Sequence, residues 1–336
     1  MHLCIKGEEM YKITMIEGDW IGPECCSVVR EVVQALGVQV EWDIQKLHDG
    51  HITEELIQSC LESGIIFKAR TKSIREKGKQ PASLELRRRL NLHSTIRPIK
   101  PVPNSNPRFP EIDIVVVRET SEDIYSGFEH EVTEGVYEAV KVTTRSACQR
   151  IAERAYKYAI DNNRKQVTIV HKSNIMKKSD GMFLEVAREI SKKYPQIKTT
   201  EMIVDALCEN LCRNPYRYDV LLTLNLFGDL VSDLCSGLAG GITASPSMSE
   251  GVVDGKNILL FETIHGRAEN IVGLNKANPI PFLKLLCHML RTLDEQEAAM
   301  RLEKAILHVL RAGIMTEDMG GKASTNSVVE AIVSNL

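Results

Sequence analysis

What this 336-residue sequence lacks narrows the field before anything it contains. No apolar run approaches the ~20 residues that cross a bilayer; the longest, such as Ile258–Phe261, are a fraction of that. The first ten residues, Met1 to Met10, carry Lys6, Glu8 and Glu9 and no apolar stretch, so no signal peptide is expected there. None of the nine cysteines forms a C-x-x-C pair. Cys208 and Cys212 lie four apart in a helix-like stretch, but no His or Cys partners cluster nearby, which argues against a zinc site. Reduced, mostly buried thiols in a cytoplasmic protein are expected instead. Charge of one sign is missing too. With 42 basic and 45 acidic residues the net charge is -3, so no field is built for nucleic acid or membranes, and any basic site is local. There is no internal repeat and no G-x-G-x-x-G after a strand, so a dinucleotide, if bound, is held by some other loop.

What is present is an alternation of short β-branched runs with amphipathic stretches. Strands are predicted at Lys12–Ile16, Val38–Trp42, Ile112–Val117, Gln166–His171, Tyr218–Thr223 and Asn257–Phe261. Helices are predicted at Glu24–Leu36, Ser146–Asn162, Gly181–Lys193 and Leu226–Leu238. That alternation implies an α/β fold with a largely parallel, buried sheet, and the length favours two lobes on one sheet. Pro279 to Leu336 reads as helices only, broken at Gly313 and at Gly320-Gly321. Pro98 to Pro110 holds five prolines and reads as a crossover between lobes.

Several residue groups suggest chemistry. Asp229 and Asp233 are four apart, on one face of a helix, among Leu224, Leu226, Phe227, Leu230, Val231 and Leu234. A carboxylate pair in apolar surroundings calls for a cation, although an i, i+4 acidic pair is more often a solvated face. Arg87, Arg97 and Arg118 can each grip a carboxylate bidentately. Arg118 ends a strand, where open α/β sheets place ligands, whereas at least one of Arg87 to Arg89 is expected on an exposed face. Lys172 follows another strand and can bind an anion or accept a proton, and Tyr125 lies just beyond Arg118, where it can donate one.

In order and context these residues resemble the β-decarboxylating dehydrogenases: isocitrate, homoisocitrate, isopropylmalate and tartrate dehydrogenases. Ile16-Glu-Gly-Asp-Trp-Ile-Gly-Pro-Glu24 resembles I-x-G-D-G-I-G-P-E. Arg118-Glu-Thr-Ser-Glu-Asp-Ile-Tyr-Ser-Gly127 resembles R-E-N-x-E-[DG]-x-Y-x-G, and His171-Lys-Ser-Asn-Ile-Met176 resembles H-K-x-N-I-M. Asn225 to Asp233 is N-L-x-G-D-x-x-S-D unaltered, and Glu262-Thr-Ile-His-Gly-Arg-Ala268 resembles the adenosine-site loop E-x-x-H-G-x-A. The likeness runs from about Lys12 to the C-terminus.

The resemblance implies a two-lobed fold sharing a mostly parallel sheet. Residues 1–97 and 246–336 would form the large cofactor-binding lobe, and 98–245 the small lobe with the dimer interface, metal and substrate residues. Asp229 and Asp233, with Asp205 from a second subunit, correspond to ligands of Mg2+ or Mn2+. Ser83, Arg87, Arg97 and Arg118 correspond to the substrate site. Lys172, reaching in from the partner subunit, and Tyr125 correspond to the proton-transfer pair. Ser73, His265, Gly266, Asn270, Ile271 and Asn278 correspond to the cofactor site. With Asn270-Ile271 where NADP enzymes commonly have Lys-Tyr, NAD is expected over NADP. The implied reaction is oxidative decarboxylation of a 2-hydroxy polycarboxylate, isocitrate foremost, by a homodimer or higher oligomer with shared sites.

The departures cluster near substrate and nicotinamide. Trp20 stands for Gly in G-D-G-I-G, and Lys68-Ala-Arg-Thr-Lys-Ser-Ile74 for K-G-P-x-x-T-P. Pro81 and Ser83 stand where isocitrate enzymes commonly have Ser and Asn, Thr120 replaces the Asn of R-E-N, and Ser249 lies near an expected Asn. They leave room for a different class of protein, a non-catalytic subunit that binds ligand and regulates a paralogue.

Overall fold

A computed structural model describes residues 10–72, 81–241, 245–263 and 265–336. The chain begins β1 (Tyr11–Ile16), α1 (Gly22–Leu36), β2 (Val40–Gln45), α2 (Glu54–Ser63), β3 (Ile65–Lys68), α3 (Ala82–Arg89), β4 (Leu92–Ile99), β5 (Ile114–Glu119). It continues through β6 (Glu129–Thr133), β7 (Val136–Ala139), α4 (Arg145–Asp161), β8 (Gln166–His171), α5 (Ser179–Ser191), β9 (Lys198–Ile203), α6 (Val204–Arg213), β10 (Val220–Thr223) and α7 (Asn225–Leu238). Last come β11 (Ser247–Val253), β12 (Lys256–Glu262), α8 (Ile280–Thr292), α9 (Gln296–Arg311) and α10 (Thr325–Val333).

Ten strands form one sheet in the order β2-β1-β3-β12-β11-β4-β5-β10-β8-β9. Six of its nine pairings are parallel, and the three antiparallel ones involve β4 or β11 at the centre. The strands β2, β1, β3, β12 and β4 therefore run one way, and β11, β5, β10, β8 and β9 the other. The inner strands β5, β8 and β10 are buried almost throughout, which accounts for their unbroken apolar runs. The edge strands β2 and β9 are partly exposed and correspondingly mixed in sequence.

The two opposed sets meet at their carboxyl ends. Arg118 of β5 pairs with Thr223 of β10 on one side and with Thr95 of β4 on the other. Thr95 pairs with Ser249 of β11, and Ser249 with Leu260 of β12, two residues short of Glu262. Glu262 in turn pairs with Lys68, the last residue of β3. A band two residues deep across the middle of the sheet thus gathers the ends of four strands, where side chains and the loops that follow escape the ladder.

The tail is helical, as its pattern predicts, and Gly313 and Gly320 take positive φ where it breaks. Elsewhere the structure departs from the sequence reading. The second strand starts at Val40 rather than Val38, because left-handed Gly37 caps α1 and two further residues turn the chain. Pro98 and Ile99 belong to β4, so the proline-rich connection starts after them. Strands β3, β4, β6, β7, β9 and β11 are absent from the sequence reading. In β4, His93, Ser94, Thr95 and Arg97 interrupt the run, and burial against neighbouring strands overrides local composition.

Candidate active site

The acidic helix is placed by its neighbours. The Asp123 carboxylate accepts from Leu226 N at 3.0 Å, satisfying an amide at the start of α7, and from Ile124 N at 2.8 Å, starting the short 3-10 turn that carries Tyr125. Asn225 Nδ2 donates to Glu122 O at 2.9 Å. Gly228 has a steric reason: a Cβ there would lie 2.6 Å from Cγ of Arg118, which runs along the helix.

Arg118 donates through Nη2 to Asn225 Oδ1 at 2.7 Å and through Nη1 to Asp229, and its guanidinium lies 5.2 Å from the centre of the Tyr125 ring. Tyr125 donates its hydroxyl to the other Asp229 oxygen at 2.6 Å. Burial, then the hydrogen bond and charge of Asp229, push the Tyr125 phenol above its ordinary value, so it keeps its proton at neutral pH.

Arg97 is almost fully buried. Its Nη1 donates to Asp233 at 2.9 Å and to Ser232, and its Nε to Ser245 at 3.2 Å. Among the described residues its Nη2 has no partner. A guanidinium nitrogen left unpaired inside a protein costs about 1–3 kcal/mol, so an arriving acceptor is rewarded. Arg87 donates to Glu262 at 2.7 Å and to Ser249 at 3.0 Å, and Glu262 also binds buried Lys68. Ser249, near the position of the expected Asn, thus holds Arg87. Of the other two arginines, Arg89 pairs with Glu54 and Arg88 is exposed.

Lys172 belongs to a second group. It pairs with Asp205 at the start of α6, and this contact holds the Asp205 carboxyl below its usual range. Among the described residues no hydrogen bond or ion pair joins Lys172 or Asp205 directly to Tyr125, Asp229 or Asp233. Nor do three His, Cys, Asp or Glu side chains there converge as a metal would need. Asp229 and Asp233 nonetheless fit part of a site for a hard divalent cation. Both carboxylates reach solvent, and each is now neutralised by an arginine rather than buried bare.

The other expected site residues are spread along the β3 and β12 loops. His265 Nε2 accepts from Arg70 N at 3.2 Å, and its Nδ1 lies 2.7 Å from Gly266 O. Burial lowers its pKa, which keeps the imidazole neutral. Asn270 is exposed and Ile271 half-buried in a 3-10 turn. Asn278 has both ends of its amide in use, towards Asp318 at 2.8 Å and Ile280 N at 3.0 Å, so here it serves the fold. Ser83 lies on α3, 3.3 Å from the Thr71 hydroxyl. Ser73 falls outside the described residues.

Sequence reasoning missed the parts played by Lys68, Glu262 and Asn225. Glu262 heads a recognised motif, and its position at a strand end was the available signal. Of the eight described cysteines none is in a disulfide and six are buried, and burial pushes Cys26, Cys60, Cys148, Cys235 and Cys287 to about 12. No described helix is long and apolar enough to cross a membrane.

The sheet and its central line of arginines and carboxylates define an α/β protein with a polar, anion-ready centre. The chain belongs to the isocitrate/isopropylmalate dehydrogenase family, whose model matches residues 12–332. It is 38% identical over 331 residues to a mitochondrial regulatory subunit of NAD isocitrate dehydrogenase from Dictyostelium discoideum, covering 97% of this chain and 91% of that one. It is also 38% identical over 333 residues to the mitochondrial NAD isocitrate dehydrogenase catalytic subunit 6 of Arabidopsis thaliana, covering 97% and 88%. The crystal structure of isocitrate dehydrogenase from Methylococcus capsulatus superposes with a TM-score of 0.88 at 35% identity, covering 97% and 99% of the two chains.

Proposed function

We propose that this chain is an NAD-linked, divalent-metal-dependent isocitrate dehydrogenase that releases CO2 and forms 2-oxoglutarate. The observation that carries the reading is the Arg118–Asp229–Tyr125 cluster beside Arg97, whose Nη2 has no partner among the described residues and can take an acceptor. The guanidinium groups of Arg87, Arg97 and Arg118 hold the substrate carboxylates and fix the reacting carbon. Lys172 of a second copy takes the proton of the 2-hydroxyl as hydride leaves C2. Bound NAD, held by the loop of His265, Gly266, Asn270 and Ile271, supplies the hydride acceptor. A divalent cation on Asp229 and Asp233, with Asp205 of the second copy, supplies Lewis-acid stabilisation of charge on the substrate oxygen. After loss of the carboxylate, the protonated Tyr125 returns a proton to carbon.

Two copies sharing sites fit the lack, among the described residues, of any direct hydrogen bond or ion pair between the Lys172–Asp205 pair and the Tyr125 cluster. They also fit the β6–β7 hairpin, a two-stranded sheet with Phe128, Val132, Val136 and Tyr137 exposed, which alone is marginal in water. The division into a cofactor lobe and a lobe of residues 98–245 is part of the same proposal. Equal identity to regulatory and catalytic subunits favours a second reading, a non-catalytic partner. Against it, a regulator has no need of acid, lysine and all three aspartates together.

A turnover assay decides. Isocitrate, homoisocitrate and 3-isopropylmalate are each offered with NAD and Mg2+ or Mn2+, with and without excess chelator. The proposal expects isocitrate to be preferred and chelation to abolish turnover. Absence of turnover on all three favours the regulator.

A further inference from the structure

Away from the substrate, one largely buried cation joins the Lys172 group to the Tyr125 group. Asp180, in the first turn of α5, is fully buried. Its Oδ2 accepts the backbone N–H of Lys172 at 2.7 Å, and its Oδ1 accepts Lys141 Nζ at 2.8 Å. Lys141 Nζ also lies 3.8 Å from Asp123 Oδ2 and 5.2 Å from the centre of the Phe227 ring. Asp123, itself buried, begins the Tyr125 turn and satisfies an amide at the start of α7. It does so at φ 75°, a left-handed conformation that a non-glycine residue holds only when its surroundings enforce it. Two buried carboxylates without a cation between them would repel and be costly. Lys141 places its positive charge between the two, Asp180 holding the Lys172 amide and Asp123 starting the tyrosine turn.

We propose that Lys141 and Asp180 are positioning residues: the Lys141 ammonium bridges Asp180 and Asp123 and so fixes the backbone of Lys172 relative to the Tyr125 turn and the acidic helix. The inference rests on the reading of Lys172 and Tyr125 as the proton-transfer pair. If these two serve different sites of a dimer, the bridge ties one site's lysine to its neighbour's tyrosine. Neither Lys141 nor Asp180 touches substrate; each acts by placing another residue, and a misplacement of about 1 Å costs on the order of 100-fold in rate.

The experiment compares Lys141→Met, Lys141→Arg and Asp180→Asn in the full chain. It reads kcat and KM for isocitrate and NAD, and amide hydrogen exchange over residues 122–126 and 171–176. Lys141→Met is expected to lower kcat about 100-fold, leave KM for NAD within about twofold, and raise exchange in both segments together. Lys141→Arg, which keeps the charge, restores most of kcat; Asp180→Asn repeats the kcat loss and frees the Lys172 amide. Unchanged exchange in both segments, or faster exchange in only one, overturns the bridge, as does an unaltered kcat. Should the wild type show no turnover, or Lys172→Met keep full turnover, the dehydrogenase reading falls. The exchange result then still sustains or overturns the bridge by itself.

Discussion

Glu262→Gln keeps the shape of the side chain and removes the one carboxylate shared by Lys68 and Arg87. Burial pushes the Glu262 carboxyl up, but Lys68 and Arg87 together overcome it and hold the pKa at about 2, against an ordinary 4.5. That difference corresponds to about 3 kcal/mol of stability at neutral pH. The sign follows from the depressed folded-state value. The stabilisation is complete above about 4.5, fades as protons are taken up on unfolding, and is gone once the pH falls to about 2. About 2 kcal/mol remains at pH 3.5. The variant also leaves Lys68, only 2% exposed, without its countercharge, and breaking a buried pair costs about 3–5 kcal/mol. Urea unfolding of both proteins from pH 7 to 3.5 measures the gap, and titrations common to the two cancel in the difference. A gap of about 3 kcal/mol, flat to roughly pH 5 and then narrowing, is expected. A gap under about 1 kcal/mol at pH 7, or one that does not narrow, refutes the Lys68–Glu262–Arg87 account.

Three further outcomes are expected. Tyr125→Phe should lower kcat by about 100-fold while the fold, judged by circular dichroism, is retained; wild-type turnover removes Tyr125 from the proton-transfer step. With Asn270-Ile271 offering no cation to a 2′-phosphate, kcat/KM should favour NAD over NADP, though by less than a carboxylate at that position would give; a strong NADP preference contradicts this. Lys172→Met and Asp233→Asn homodimers should each be inactive, whereas co-expression should recover part of the activity, because one site of the heterodimer receives intact groups from both chains. Purified heterodimers as inactive as the parents would place all these groups in one chain.

The sequence alone determined the elements that burial on both faces makes conspicuous. The run Gln166–His171 became β8 with the same ends, the Asn225–Asp233 stretch became the first turns of α7, and the tail became helices broken at glycines. It also showed which residue types recur in family order, so Arg97, Arg118, Tyr125, Asp229 and Asp233 were named before any contact was known. Tertiary structure alone decided what each of them touches. Ion pairs between Arg118 and Asp229, or Arg97 and Asp233, join residues more than 100 positions apart, and no local spacing encodes them. The polar strands β4 and β11 were illegible for the same reason. Their hydroxyls and arginines tolerate burial only because Thr95, Ser249, Arg87 and Glu262 satisfy one another across three strands and a helix, a condition set by packing.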